Sequence, residues 1–423
     1  MILLSGADLV LPERVVSGTL VLEGDRITDV VTGTRPAPPG VLHVDLSNHY
    51  IVPGFIDVHV HGVDGHDALD GGAAIATMAG TLPRFGVTAF CPTSIACDPS
   101  ALRAMLASVR TSRTTRPPGG ARVLPAHLES NFINPAFKGA QPLECLRLPP
   151  PVAPPGPLGS DLDFLIPGRQ GSENRDLTPE ADPGANSAWG ADEILAEIAN
   201  ARPDVGIITL APELDGAVAL IRDLVAHGHH VSLGHSGASY EQAQDGIRAG
   251  ARQATHLFNR MTPLSHRVPG LAGAVLESED VTAELICDGV HVHPAMMRMA
   301  LAAKRPDRVM AITDGTAGSG RPRGSHATLG GRRITVGDAA YLDDGTIAGS
   351  VLTMDRAFAQ LTTSVGLSLS EAATVCSTTP ARALGLQGFG VIAHGAMADL
   401  AVLDRDLRVV QTWVAGTLAH STI

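Results

Sequence analysis

The feature that most constrains the fold is an alternation, through the middle of the chain, of short apolar runs rich in β-branched residues with Ala-rich segments of helical periodicity. Helices are predicted between the runs, for example at 73–85, 191–202, 216–227 and 240–249. Strands that are buried on both faces and followed by helices predict a parallel sheet, and eight of them predict a closed (β/α)8 barrel. The eight predicted strands are 51–60, 87–93, 122–128, 206–211, 230–235, 252–257, 282–287 and 308–313.

Short strand-like runs at both ends of the chain indicate a second, smaller domain. Residues 1–50 contain three such runs with turn residues between them, and similar runs return at 399–403 and 409–414. We therefore expect an α/β TIM barrel at 51–375 and a small β-sandwich domain formed by both termini, from residues 1–50 and 376–423.

A Pro- and Gly-rich stretch at about 142–190 interrupts the barrel pattern between the third and fourth predicted strands. This position is on the C-terminal side of the barrel. A connection this long with little periodicity is either disordered or a lid over the site, and the sequence leaves both open.

The composition excludes several classes of protein. Of the 423 residues 44% are hydrophobic and 17% charged, so a large core can form and global disorder is excluded. The formal net charge of -12 argues against a nucleic-acid partner. No apolar run reaches the ~18 residues of a membrane span, and the N-terminus lacks the basic start of a signal peptide. We expect a soluble cytoplasmic protein that binds no membrane.

Residues able to bind a metal ion or to move a proton end several of the predicted strands. The first strand ends in His59-Val60-His61, and alternation along a strand places both imidazoles on one face. Strand C-terminal ends converge on one face of such a barrel, so these side chains are expected to meet in one cleft. A single histidine at a strand end is more often structural, and it is the whole set that indicates a site. The other members are Glu129, His235, His256 and Asp314.

These residue types predict metal-dependent hydrolysis. Imidazole and carboxylate without thiolate suit zinc, or another borderline divalent ion, in an open catalytic site. Such an ion lowers the pKa of its bound water toward ~7 and polarises a scissile carbonyl. Asp314 would accept the proton and later return it to the leaving nitrogen. One ion is enough, and two are possible. His127 is either structural or a hydrogen-bond partner of a ligand.

Longer motifs resemble those of one family. The segment PGFIDVHVHG at 53–62 resembles the opening metal motif of the amidohydrolase superfamily. In order, and over nearly the whole chain, the other motifs resemble the N-acetylglucosamine-6-phosphate deacetylase family. They are HLESNFINPAFKGA at 127–140, TLAPE at 209–213, GHSGASY at 234–240, THLFNRMTPLSHRVPGLAGA at 255–274, CDGVHVHP at 287–294, TDGT at 313–316 and AGSVLTM at 348–354.

The resemblance implies roles for particular residues. It implies that Glu129, His235 and His256 are the main metal ligands, that Asp314 is the acid/base, and that His59 and His61 serve a second ion where one is present. It also implies that Asn259 and Arg267 hold the sugar phosphate, that His291 contacts substrate, and that the enzyme is a homodimer in which Arg267 reaches across the interface. A guanidinium suits a phosphate dianion.

The chain departs from the family pattern at four positions. The pattern HLEGPF appears with Ser130 and Asn131 in its middle, and the usual histidine after KGA is replaced by Gln141. A Gln amide can still donate a hydrogen bond to a developing oxyanion, but it carries no positive charge. Arg260 takes a position that is commonly small in the family, which adds bulk and charge beside the phosphate site. These departures fall where substrate is expected to be read.

Three functions are therefore considered. The first is deacetylation of N-acetylglucosamine 6-phosphate, or a close N-acetylamino sugar phosphate, to the amino sugar phosphate and acetate. The second is deacylation of another N-acyl compound by an amidohydrolase of the same architecture, in specialised metabolism, which the departures favour. The third is a non-catalytic binding or scaffold protein, against which the complete ligand set argues.

Overall fold

The architecture is taken from a computed structural model that describes residues 1–33, 35, 38–151 and 188–423. The predicted insertion at about 142–190 therefore falls largely outside the described residues. Within the described part, no helix has the length and apolar character needed to cross a bilayer.

The strands fall into two large sheets and two small ones. In chain order they are β1 (Ile2–Val10), β2 (Val15–Glu23), β3 (Arg26–Thr32), β4 (Leu42–Asp45), β5 (Tyr50–Pro53), β6 (Phe55–Val60), β7 (Gly62–Val63), β8 (His66–Asp67), β9 (Val87–Ser94), β10 (Arg122–Val123), β11 (Ala126–Glu129), β12 (Val205–Leu210), β13 (His230–Leu233), β14 (Gln253–Ala254), β15 (Thr282–Ile286), β16 (Val309–Ile312), β17 (His326–Leu329), β18 (Arg332–Val336), β19 (Ala340–Tyr341), β20 (Leu400–Leu403), β21 (Val409–Val414) and β22 (Thr417–Ser421).

Helices follow most of the barrel strands, and their ends carry ordinary capping signals. The Asp98 carboxylate accepts from the Ser100 and Ala101 amides at the start of the second helix, and Ser239 caps the fifth. The helices are α1 (Ala74–Thr81), α2 (Pro99–Thr114), α3 (Ala191–Asn200), α4 (Ala217–Ala226), α5 (Tyr240–Ala249), α6 (Gly270–Glu277), α7 (Pro294–Lys304), α8 (Met354–Gln360), α9 (Leu369–Ala373) and α10 (Thr379–Ala383). Short 3₁₀ turns lie at Ala68–Asp70, Leu82–Phe85, Pro135–Phe137, Leu143–Cys145 and Pro306–Arg308, and π-turns at Leu361–Val365 and Thr374–Thr378.

The predicted (β/α)8 barrel is confirmed. Its strands pair in parallel in the order β6, β9, β11, β12, β13, β14, β15 and β16, with β10 beside β9. The barrel is closed by hydrogen bonds between the ends of its last and first strands. The Asp314 amide donates to the His59 carbonyl at 2.9 Å, and the His61 amide donates to the Gly315 carbonyl at 2.8 Å. A closed barrel brings the C-terminal ends of all its strands to one face.

The first predicted strand belongs to two sheets. Residues 51–60 form the end of β5 in the terminal domain and all of β6 in the barrel, with Gly54 between them. A Cβ at Gly54 would lie 2.2 Å from Thr88 Cγ2, so the chain can pass this point only with a glycine. The apolar run is continuous across the break, which is why the sequence pattern did not show it.

A separate β-domain is built from both termini, as predicted. Its strands follow the order β22, β21, β20, β5, β1, β2 and β3, with β4 also paired to β1. The β5 strand pairs antiparallel with β20, so a strand near the start of the chain is joined to one near its end. A core of its own includes Leu4, Leu20, Ile51, Leu400 and Trp413.

Candidate metal centre

One cleft of about 520 Å³ opens at the C-terminal face of the barrel. Its walls come from loops that follow the barrel strands and from the turn after β19, which contributes Ile347 and Ala348. Most of the site residues expected from the sequence line this cleft. They are His61, Glu129, Gln141, His235, His256, Asn259, Arg260, His291 and Asp314.

Three of these side chains direct one atom each toward a common point. His235 Nε2 lies 2.7 Å and His256 Nε2 lies 2.9 Å from the same Glu129 oxygen, Oε1. The two nitrogens are 3.1 Å apart. All three side chains are almost completely buried. The structure thus brings Glu129 together with two histidines that lie more than 100 positions further along the chain.

A second group meets beside the first. His61 Nε2 lies 3.1 Å and His59 Nε2 lies 3.4 Å from Asp314 Oδ1, and the two nitrogens are 3.2 Å apart. Glu129 stands between the groups, because its Oε2 is 3.7 Å from His61 Nε2. Each group offers three donor atoms within 4.8 Å of one another, which suits a metal ion.

The hydrogen bonds behind the imidazoles decide which nitrogen faces the centre. His235 Nδ1 lies 2.8 Å from the Phe137 carbonyl and His61 Nδ1 lies 3.2 Å from the Thr93 carbonyl. A carbonyl only accepts, so each Nδ1 carries a proton and Nε2 is the nitrogen that faces the carboxylates. Nitrogen and carboxylate oxygen atoms this close repel one another unless a proton or a metal cation lies between them. The residues therefore fit a divalent ion.

The electrostatics of the cluster point the same way. Burial lowers the pKa of His61, but the Asp314 and Glu129 carboxylates outweigh burial and raise it to about 9. Burial also lowers the pKa of His256, and Glu129 again prevails and raises it to about 8. Burial alone would raise the pKa of Glu129, yet His235 and His256 hold it well below its ordinary value. The centre stabilises positive charge.

Three site residues share an unusual backbone conformation. His235, His256 and Asp314 each lie two residues beyond the end of a barrel strand, with φ of 47°, 31° and 47°. A positive φ at a residue with a Cβ costs on the order of 1–3 kcal/mol and is typical of functional sites. The left-handed turn directs each side chain inward over the barrel mouth, whereas the sequence pattern had predicted that the strands themselves extend to these residues.

Gln141 is held at both ends of its amide. Its Oε1 accepts from the Ala96 amide at 2.7 Å, and its Nε2 donates to Glu129 Oε2. An amide nitrogen has two hydrogens, so one remains for a group in the cleft. Gln141 therefore fixes the second oxygen of Glu129 while its own side chain lines the cleft.

Arg260 and Asn259 lie in the turn that follows His256. Arg260 is exposed at the rim of the cleft that it helps to line. Its side chain packs over Gly139, where a Cβ would lie 2.5 Å from Arg260 Nε. The glycine gives the guanidinium its place at the edge of the cleft. Asn259 Nδ2 donates to the His256 carbonyl at 3.3 Å.

The two remaining expected residues differ in position. His291 Nδ1 lies 2.6 Å from Asp288 Oδ2, and its buried Nε2 has no partner among the described residues although the ring lines the cleft. That nitrogen is available to a ligand. Arg267, by contrast, is exposed in a loop and does not line the cleft of its own chain.

Sequence reasoning missed the polar groups behind the ligands. Glu284 in β15 accepts from His59 Nδ1 at 2.9 Å, and Asp57 accepts from the Thr313 hydroxyl at 2.6 Å. Burial raises the pKa of both carboxyls to about 7. A carboxylate in the middle of an apolar strand was the signal available for each. His127, whose role had been left open, packs its ring edge-on against His59 with centroids 4.6 Å apart.

Ser130 and Asn131, which were expected to lie where substrate is recognised, are buried and do not line the cleft. The Ser130 hydroxyl donates to the Thr209 carbonyl. Asn131 Nδ2 donates to the Cys97 carbonyl at 2.8 Å and to the Cys145 carbonyl at 2.7 Å. The amide thus joins two loops in the wall of the barrel, a bond that a proline at this position could not make.

Comparisons with known proteins agree with this geometry. The amidohydrolase family model matches residues 50–419. An N-acetylgalactosamine-6-phosphate deacetylase of Escherichia coli O157:H7 is 32% identical over 93% of this chain and 94% of its own. An N-acetylglucosamine-6-phosphate deacetylase of Bacillus subtilis is 30% identical over 96% and 94%. A mutant of the Mycobacterium smegmatis N-acetyl-D-glucosamine-6-phosphate deacetylase, solved with N-acetyl-D-glucosamine-6-phosphate, is 31% identical with a TM-score of 0.83 and 99% coverage of both chains.

Proposed function

Since the chain belongs to the amidohydrolase family, we propose that it hydrolyses the acetamide of N-acetylglucosamine 6-phosphate, giving glucosamine 6-phosphate and acetate. The observation that carries this proposal is the pair of donor groups at one cleft, the second of which contains Asp314. Support for the sugar phosphate comes from relatives that share about a third of their residues over more than nine-tenths of the chain.

The ligand types favour zinc. Glu129, His235 and His256 would hold the main ion, and His59 with His61 and Asp314 would hold a second. When bound, a divalent cation activates water and polarises the scissile carbonyl. Imidazole and carboxylate donors without thiolate are typical of catalytic zinc sites.

Asp314 is suited to the proton transfers. Burial raises the pKa of its carboxyl, but His59 and His61 outweigh burial and keep the pKa below its ordinary value. The carboxylate is therefore ionised and can accept a proton from the attacking water. It then donates that proton to the amide nitrogen as the C–N bond breaks, so the amine leaves neutral together with acetic acid, which ionises to acetate by releasing its proton to solvent or to the amine. The remaining hydrogen of Gln141 Nε2 can donate to the carbonyl oxygen as charge develops on it.

Two arginines are proposed to read the phosphate. Arg260 would reach it from the same chain, beside Asn259, and His291 Nε2 would contact the sugar. Arg267 is exposed and does not line its own cleft, so it would serve the cleft of a second copy in a homodimer. A cytoplasmic location fits an enzyme of amino sugar catabolism and remains a prediction.

The proposal is tested by steady-state assay of a substrate panel with metal content measured on the same sample. We expect kcat/KM for N-acetylglucosamine 6-phosphate to exceed that for N-acetylglucosamine on the order of 10²-fold or more, because each charge-assisted hydrogen bond to the phosphate contributes about 1.5–3 kcal/mol. N-acetylgalactosamine 6-phosphate belongs in the panel because one relative acts on that epimer.

A preference for an N-acetylated amino acid or amine over every sugar phosphate would remove the proposal. That result would favour the second candidate, deacylation of another N-acyl compound, which the presence of Gln141 and Arg260 supports. Absence of turnover on the whole panel, in protein loaded with zinc, would instead favour a binding protein.

Replacing Arg260 with alanine is expected to raise KM for the phosphorylated sugar roughly 10- to 100-fold with a small change in kcat, since a guanidinium–phosphate contact is lost. Arg267→Ala should have a similar effect. The measurement is KM for N-acetylglucosamine 6-phosphate and for the unphosphorylated sugar. Neither substitution should change KM for the unphosphorylated sugar.

Arg222→Ala is the matched control, because Arg222 is an exposed arginine on α4, outside the residues that line the cleft. An unchanged KM in Arg260→Ala would show that this arginine does not read the phosphate. Mixing the Arg267→Ala protein with the Asp314→Asn protein tests whether Arg267 acts on the second chain. If it does, a mixed dimer has one site with Asp314 from one variant and Arg267 from the other, and activity is recovered.

A further inference from the structure

Glu284 is a fully buried carboxylate beneath the metal centre. It lies in β15, and its Oε2 accepts from His59 Nδ1 at 2.9 Å. The same oxygen lies 3.3 Å from the His256 amide nitrogen, which also donates to it. Both His59 and Glu284 are 0% exposed, so water is not available to replace this bond.

The bond determines which nitrogen His59 presents. Glu284 Oε2 accepts from the His256 amide, which can only donate, so this oxygen acts as an acceptor toward His59 as well. Nδ1 of His59 therefore carries the proton and Nε2 is left with its lone pair. That Nε2 is the atom that lies 3.4 Å from Asp314 Oδ1 and 3.2 Å from His61 Nε2. Without an acceptor behind it, the buried ring could take the other tautomer and direct an N–H at the centre.

His59 depends on a side chain in a way that the neighbouring ligands do not. The Nδ1 atoms of His61 and His235 bond to the backbone carbonyls of Thr93 and Phe137, which no substitution at those positions removes. His256 Nδ1 has no partner among the described residues. Within the described part of the chain, Glu284 is therefore the only side chain that accepts a hydrogen bond from the Nδ1 of a histidine in either donor group.

We infer that Glu284 is the positioning residue for the second cation site, holding His59 Nε2 toward the point shared with His61 and Asp314. It is not itself a ligand of that site, because its carboxylate lies on the far side of the imidazole ring. Glu284 holds the imidazole of His59 but only the backbone amide of His256. Substitution at Glu284 therefore weakens binding of the second ion more than binding of the ion at Glu129, His235 and His256. The inference rests on the metal-dependent function proposed above.

The test is a titration of metal-free protein with Zn²⁺ alone, followed by calorimetry and by elemental analysis after equilibrium dialysis. Wild type is expected to take up two equivalents. Glu284→Leu should bind the second equivalent about 10- to 100-fold more weakly, the range seen when the hydrogen-bond partner of a ligand is lost, and should bind the first with a clearly smaller loss. Glu284→Gln keeps an oxygen for His59 Nδ1 and should fall between the two.

Gln253→Met is the matched control. Gln253 lies in the neighbouring strand β14, is 1% exposed, and neither polar atom of its amide has a partner in the described part of the chain. Replacing it removes a buried polar group without removing a hydrogen bond to His59, so both equivalents should remain.

Three results would overturn the inference: uptake of a single equivalent by wild type, an unchanged second equivalent in Glu284→Leu, or an equal loss in Gln253→Met. If Glu284→Leu does not fold, Glu284→Gln alone decides, since an amide oxygen is a weaker acceptor than a carboxylate. Second-equivalent affinity equal to wild type in that variant contradicts the inference. Because the readout is zinc binding, a wrong sugar assignment leaves this test unaffected.

Discussion

Asparagine in place of Asp314 is expected to lower kcat on the order of 10³-fold, within the range that general acid–base catalysis contributes. The substitution keeps the shape of the side chain but removes the group that accepts and returns the proton. Asp314 is not one of the three residues around Glu129 Oε1, so binding of one zinc equivalent by Glu129, His235 and His256 should persist. The measurements are kcat on N-acetylglucosamine 6-phosphate and zinc content of the same sample.

Asp338→Asn provides the control for this experiment, because Asp338 is an exposed carboxylate that pairs with Arg323 outside the cleft. It should retain wild-type kcat. If Asp314→Asn kept more than about a tenth of wild-type kcat, the loss would lie below the range for general acid–base catalysis and the assigned role would be wrong.

Glutamine in place of Glu129 is expected to abolish tight binding of the main ion and with it the activity. Glu129 is the carboxylate that both His235 and His256 face, and its other oxygen accepts from Gln141. Its loss leaves two imidazoles with no anionic partner for a cation. A bound ion lowers the activation free energy by several kcal/mol, and each 1.36 kcal/mol changes the rate tenfold. Turnover should therefore fall about 10³-fold or more when the ion is lost.

The zinc affinity of Glu129→Gln, measured by competition with a chelator, should fall by more than roughly 10- to 100-fold. That range is typical when a residue that only hydrogen-bonds to a metal ligand is replaced. Glu144→Gln is the comparison, since Glu144 is an exposed glutamate in the same connection after β11. Stoichiometric zinc in Glu129→Gln after dialysis, with normal turnover, would show that the main ion binds elsewhere.

Much of the site could be predicted because, in a parallel barrel, the place of a residue within its strand determines which face of the strand and which end of the barrel it occupies. His59 and His61 are two residues apart, which fixes one face of a strand, and the ends of the strands fix one face of the barrel. These rules need no knowledge of contacts distant in sequence. The eight barrel strands and the β-domain from both termini were predicted from other local patterns, namely the alternating apolar and helical segments and the strand-like runs near both ends.

What could not be predicted depends on contacts across the barrel. Glu284 and His59 are 225 residues apart, and nothing in either local pattern indicates their hydrogen bond. Asn131 reads as a departure in a substrate motif, yet its amide joins the Cys97 and Cys145 loops because those loops happen to be adjacent in the fold. Whether such a residue contacts substrate or forms a structural hydrogen bond depends on where it lies in the folded chain. The residue type alone does not reveal that position.

The pairing of β5 with β20 also orders events during synthesis. Residues 50–53 leave the ribosome long before the strand that covers their edge, 400–403, has been made. Through that whole interval the nascent chain carries an uncapped strand edge directly joined to the first barrel strand. An unpaired edge invites association between chains, so premature termination before residue 400 should yield aggregating fragments even when every barrel strand is present.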